Sequence, residues 1–248
     1  MKRASLPDLD LALYVRAIPL LLRNPSIIVI PLLMGVIGIL VGLTTSPQGD
    51  VIGGVTSGLT GLIVRLLQLF GLGAACIIAD DAWRHGRASF DRGWVEARRR
   101  GGDILFAAIG ITLLLVVASY VGQLIPVGLL VLLLSVAIVF FCIWAIPAAA
   151  VGGIPGGASI QASIDRVREH PLSAALATIV AVGLVFFAAP YLSLQLFFLL
   201  ASSGVAVNGV SSILISLIAE LIKAIAIGYV ALVLTKTYAD AAFSPRRW

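Results

Sequence analysis

The sequence predicts an all-α polytopic membrane bundle: six transmembrane helices paired as hairpins, each hairpin headed by an amphipathic interfacial elbow helix. Three observations predict it. The 248-residue chain is 60% hydrophobic and only 12% charged, with mean hydropathy +1.10, whereas a soluble domain carries about 25% charged residues. Six apolar stretches reach the length of about 20 residues that spans a bilayer as a helix. Three short segments, each placed ahead of a pair of those stretches, share one amphipathic pattern.

The six stretches lie near 26–44, 58–80, 103–123, 127–150, 173–200 and 209–235. Transmembrane strands alternate apolar and polar residues. Runs such as Leu113-Leu114-Leu115-Val116-Val117 and Val136-Ala137-Ile138-Val139-Phe140-Phe141-Cys142 are apolar on every side, so helices are expected. The fifth and sixth stretches are long enough to tilt or to extend along the interface.

The first elbow carries Tyr14, Ile18 and Leu21, then breaks at Arg23-Asn24-Pro25. The second carries Phe90, Trp94 and Ala97 before Arg99-Arg100-Gly101; the third carries Ile160, Ile164 and Val167 before Glu169-His170-Pro171. In each, the apolar residues sit at i, i+4 and i+7, one face of a helix. Ser5, Pro7 and Asp8 mark the first start, Ser89 and Ser159 are expected N-caps, and Pro19 is expected to kink or interrupt the first elbow. Trp83, Trp94 and Trp248 suit the headgroup level. The alternative is that the elbows are ordinary loops packed on the bundle. The single integral membrane domain, 1–248, thus divides into repeat units of about 8–83, 84–153 and 154–243. The repeat is imperfect: Ala79-Asp80-Asp81-Ala82-Trp83 parallels Ala239-Asp240-Ala241-Ala242-Phe243, but Ala148-Ala149-Ala150-Val151-Gly152 lacks the Asp.

Charge sets the orientation. Of 17 Lys and Arg, only Arg65 and Lys223 fall inside the spans. The others all lie on the elbow side, and the three opposite loops carry none, so the positive-inside rule puts both termini in the cytoplasm. The net charge of +5 then reflects topology and attraction to anionic membrane lipids, and no nucleic-acid partner is expected. The N-terminus lacks a short apolar region with a small-residue cleavage site, so the first span reads as retained. Cys76 and Cys142 lie within spans and read as small apolar residues.

Several local patterns resemble a known family. Arg16-Ala17-Ile18-Pro19 leads to Arg23-Asn24-Pro25; Pro147 through Gly153 is followed by Ala158-Ser159-Ile160-Gln161-Ala162-Ser163 and His170-Pro171; the last span ends Thr237-Tyr238-Ala239-Asp240. Together these resemble the six-helix bacterial membrane family that includes YciC-like proteins, and the membrane domain attached to some glycerophosphoryl diester phosphodiesterases. The resemblance implies an inner-membrane fold with elbow helices and implies no chemistry. No stretch outside the spans is long enough for a soluble phosphodiesterase domain, so that activity is not expected to carry over.

Ionisable residues within spans are costly and face a bundle interior or a wet cavity. Span six carries Ser212, Ser216, Glu220 and Lys223 on one helical face, and span two carries Thr60, Arg65 and Gln68. Measured from Asp80 and Asp240, Arg65 is ~22 Å, Lys223 ~25 Å and Glu220 ~30 Å away at 1.5 Å per residue, in the outer half of the bilayer. Arg65, Gln68, Ser216, Glu220 and Lys223 are therefore the candidate polar cluster, with Glu220 pairing Arg65, Lys223 or both. It serves either helix register or snorkelling, or a polar or anionic ligand. No metal, cofactor or catalytic set is expected: His85 and His170 are the only histidines, Asp80 and Asp81 are expected to balance Arg84 and Arg87, and Gly152–Gly157 lacks the Lys-Ser/Thr ending of a phosphate loop. Gly71, Ala75 and Gly110 read as packing positions.

These readings point to a non-enzymatic inner-membrane protein: a scaffold or accessory subunit, or a factor in envelope maintenance, with a protein partner or a second copy of itself. The alternative is a small transporter or lipid-handling protein that uses the polar cluster.

Overall fold

The computed structural model describes residues 10–43, 51–124, 128–202 and 209–243. Ser5, Pro7, Asp8 and Trp248 lie outside them. Among the described residues there are eleven α-helices and one π-helical segment, and no strand. The elbows are α1 (Leu11–Arg23), α4 (Phe90–Arg99) and α8 (Gly156–Glu169). Span one is α2 (Ser26–Leu43), span two α3 (Val51–His85), span three α5 (Gly101–Leu124). Span four is α6 (Gly128–Phe141) followed by the short α7 (Ala145–Ala150); span five is α9 (Pro171–Val182), the π-helical Gly183–Ala188 and α10 (Ala189–Ser202); span six is α11 (Gly209–Phe243). Six helical stretches are long and apolar enough to cross a membrane, so the chain is a multi-pass helical membrane protein.

The helices pack by one rule applied three times. Each hairpin pairs its own spans: α2 with α3, α5 with α6, α10 with α11. The second span of each hairpin meets the first span of the next, as α3 with α5, α6 with α9 and α11 with α2. Each elbow packs on the second span of the hairpin before it: α4 on α3, α8 on α7, and α1 on α11. The last pair closes the ring, and α3, α7 and α11 touch one another at its centre.

Small side chains let these helices approach closely. Ala74, Ala75, Cys76, Ala148, Ala149 and Ala231 are all fully buried. Gly71 faces Pro31 and Met34, and a Cβ on Gly73 would come within 2.6 Å of Ile104 Cγ2. Gly110 receives Ile160 of the third elbow.

The breaks in the spans are sealed by specific donors and acceptors, as buried backbone requires. Between α6 and α7, Ser163 Oγ donates to Phe141 O (2.8 Å) and accepts from Trp144 N (3.1 Å). The fully buried Trp144 donates through Nε1 to Thr237 Oγ1 at 3.0 Å. Arg100 closes the end of α7, donating to Ala150 O and Val151 O at 3.0 and 3.1 Å. The π-helical turn precedes Pro190, with Ala189 N bonding back to Leu184 O; the wider turn gives room for a ring that has no N–H to offer.

Several elbow expectations are corrected. Asp10 caps α1 through Ala12 N at 3.1 Å, and of the two effects expected of Pro19, a kink or an interruption, the interruption is absent, since α1 continues through it. Ser89 occupies the N-cap position of α4 but makes no side-chain cap bond; Asp81 Oδ2 accepts from Ser89 N instead, at 3.0 Å. Ser159 lies inside α8, buried, donating to Gly156 O at 2.6 Å, and Pro155 holds the N-cap position. The glycine-rich turn therefore ends at Pro155, with Gly153 at φ 64°.

Gly73→Val should destabilise the bundle by about 1–3 kcal/mol, the usual cost of overpacking, read as a fall in detergent-solubilised melting temperature. Gly157→Ala, where a Cβ meets nothing within 4 Å, should leave it unchanged.

Candidate functional site

The core is one-sided. In α3 the buried residues begin at Gly71 and continue to Ala82, in span four they begin at Cys142, and in α11 they begin at Ala224. Over 58–70, 131–141 and 213–223, the far halves of the same three inner helices, none of the described side chains is buried. The five candidate residues all fall in those open halves.

Helical register shows which way they face. Leu72 packs against all three core clusters, and Arg65 sits seven residues earlier on the same face. Val230 packs in the cluster around Trp144, and Lys223 and Ser216 precede it by one and two heptads. The central faces of α3 and α11 thus continue upward into charge. Arg65 is nonetheless exposed, and Gln68, Ser216, Glu220 and Lys223 are half-buried.

The two helices run parallel, with Cys76 O accepting from Thr235 Oγ1 at 3.3 Å and Cys76 Sγ near Ala231 O. The bonds between the two helices span 149 to 159 residues; carried up from Arg65 these separations reach 214 to 224, the stretch that holds Ser216, Glu220 and Lys223. Of the two partners expected for Glu220, the structure brings one. Glu220 Oε1 lies 3.6 Å from Lys223 Nζ, with the side chains 22% and 26% exposed. Among the described residues Arg65 has no ion pair. The reason is lateral: Glu220 is turned toward span one, where its Oε2 occupies the space a Cβ on Gly35 would fill. Gly35 is the member of this site the sequence reading missed. The side chain of Ser212 lies outside the described set, and Thr60 and Ser216 each have a polar partner.

The elbow residues divide. Tyr14, Phe90 and Trp94 are half-buried against the first core cluster and Ile160 against the third; Ile164 is half-buried. Ile18 is 51% exposed, as an apolar residue turned to the membrane interface would be, while Leu13, Ala17 and Leu21 form the face of α1 that packs on the bundle. Burial beside Tyr229 pushes the Tyr14 phenol up to about 12.

On the elbow side Asp80 pairs with Arg84 at 2.9 Å, as expected, but Asp81 pairs with His85 at 2.9 Å and Arg92 at 3.6 Å rather than Arg87. The buried Asn24 donates to Leu20 O and Gly86 O at 2.9 and 3.3 Å and accepts from Ala88 N at 2.7 Å. It ties the first elbow to the loop after span two, a pairing across 62 and 64 residues that no local signal announces. Among the described residues no three His, Cys, Asp or Glu side chains converge as a metal site would need.

Comparison with family models, with curated proteins and with solved structures finds no match for this chain.

Gly35→Ala should cost about 1–3 kcal/mol by driving Glu220 from its place, and the cost should largely vanish in a Glu220→Ala background. A double-mutant cycle on thermal stability measures that coupling.

Proposed function

We propose that the chain is a non-enzymatic, multi-pass protein of the bacterial cytoplasmic (inner) membrane that handles a polar or anionic amphiphile through a vestibule in the outer half of the bundle. The elbows and both termini face the cytoplasm in this proposal, on the strength of the Lys and Arg distribution. The resemblance to the YciC-like family fits the same placement, and the recurring elbow-plus-hairpin packing fits a repeated unit.

One observation carries the functional reading. The faces of α3 and α11 that close the core at Leu72 and Val230 bear Arg65 and Lys223 one heptad further out, where the inner helices have no buried described residue. A cationic pair on a central, uncovered face is suited to an anionic headgroup, and Glu220 offsets only one of the two charges. Lipid tails would meet the apolar flanks of the same helices.

The second reading is a scaffold or accessory subunit with a protein partner or a second copy. It is favoured by the aromatic face of span five, where Phe186, Phe187, Tyr191 and Phe198 are each more than half exposed, an area suited to another membrane helix.

The two separate on what the chain retains in mild detergent, read by native mass spectrometry. A vestibule should hold a lipid-class molecule. Replacing both cations (Arg65→Ala with Lys223→Ala) should lower its retention more than about tenfold, since hydrogen bonds to charged groups contribute about 1.5–3 kcal/mol each, with the melting temperature little changed. Retention of a protein instead, unaffected by the double variant, would support the scaffold.

A further inference from the structure

A second cationic feature lies on the opposite, elbow side and belongs to neither the polar cluster nor the core. Arg23, His85, Gly86 and Arg87 line a cleft of about 490 Å³. It forms where the C-terminal end of α1 meets the loop leaving span two. Asn24 fixes that junction, since one side chain holds both Gly86 O and Ala88 N. Gly86 adopts φ 73°, a left-handed turn that suits glycine and brings His85 and Arg87 to the same rim.

The cleft is electropositive by more than residue count. Acids on this face are largely engaged: Asp80 by Arg84, Asp81 by His85 and Arg92, Glu96 by Arg99 and Arg100. Arg23 and Arg87 have no ion pair among the described residues, and both are exposed. Asp81 accepts from His85 Nδ1 at 2.9 Å and so holds the ring in place beside them.

Apolar surface adjoins the cleft on both sides. Along α1, Leu11, Val15, Ile18 and Leu22 are 64%, 68%, 51% and 78% exposed, a stripe on the face opposite its buried Leu13, Ala17 and Leu21. From Ser26 onward, Val29, Leu33, Ile37 and Leu40 form an exposed track up α2. A cationic notch at the root of an apolar track matches a molecule with an anionic head and long hydrocarbon tails.

We propose that this cleft is a binding site for the phosphate of an anionic phospholipid from the elbow-side leaflet, with Arg23 and Arg87 holding the phosphate and the acyl chains lying along α1 and α2. Guanidinium groups suit phosphate because their paired donors match its oxygens. The site would anchor the first elbow at a fixed depth in the headgroup region.

The test uses the full chain in nanodiscs of phosphatidylglycerol and phosphatidylcholine in equal parts, with bound lipid counted by native mass spectrometry after release. Wild-type chain should retain phosphatidylglycerol over phosphatidylcholine. Removing both charges (R23Q with R87Q) should lower that preference about fivefold or more per arginine, given about 1 kcal/mol per cation at the membrane surface. R23K with R87K should retain much of it, which separates charge from folding. R16Q, on the same elbow and outside the cleft, should leave it unchanged. An equal loss in R16Q would overturn the site in favour of diffuse surface charge, and displacement of the lipid by millimolar inorganic phosphate would assign it to free phosphate.

Discussion

Close approach of α3, α7 and α11 through small side chains is the constraint on which the architecture rests. Apolar area gives membrane helices little reason to associate, because lipid is as apolar as they are. Contact has to come from dispersion at short range and from hydrogen bonds that cross between helices. The elbow-side half supplies both: glycine and alanine at the crossing points, and Trp83 and Trp144 donating across to Leu232 O and Thr237 Oγ1 at 3.0 Å each. In the far half the inner helices carry mostly Leu, Ile and Val, and none of their described side chains over 58–70, 131–141 and 213–223 is buried.

That asymmetry links the fold to both proposed sites. Where the inner helices are held together, breaks in the spans can be tolerated, because Ser163, Arg100 and Asn24 satisfy the exposed backbone. The same breaks let the elbows turn outward along the surface, which creates the cationic cleft beside α1. In the far half, where the inner helices have no buried described side chain, Arg65 is exposed and Glu220 settles against Gly35.

Much of the fold was legible in the sequence because it depends on composition and span length alone. The six spans follow from continuous apolar runs, and the second and third elbows from their periodicity. The first elbow is apolar on two faces, Leu13, Ala17 and Leu21 toward the bundle and Leu11, Val15, Ile18 and Leu22 away from it, and periodicity does not say which packs on protein. Ser89 and Ser159 fit a local rule, yet Ser89 holds its N-cap position with its amide bonded to Asp81 of α3 and without a side-chain cap bond, and Pro155 takes the position expected of Ser159. Depth along a helix was readable for Arg65, Glu220 and Lys223 from residue counting. Lateral position was not, because it depends on Gly35, a residue with no side chain to notice. The Arg23, His85 and Arg87 cleft was hidden for the same reason: a bond spanning more than sixty residues assembles it.

The central claim is that the bundle is sealed on the elbow side and open to water along the central face of its far half. A nitroxide scan of α3 from Leu59 to Ala79, with Cys76 and Cys142 replaced by alanine and the chain in nanodiscs, tests it most directly. The account predicts that a label at 65 is reached by a polar, water-soluble relaxant, while labels at 72 and 79 are reached by neither that relaxant nor oxygen. A label at 65 accessible to oxygen and shielded from the polar reagent would place Arg65 against lipid and contradict the vestibule.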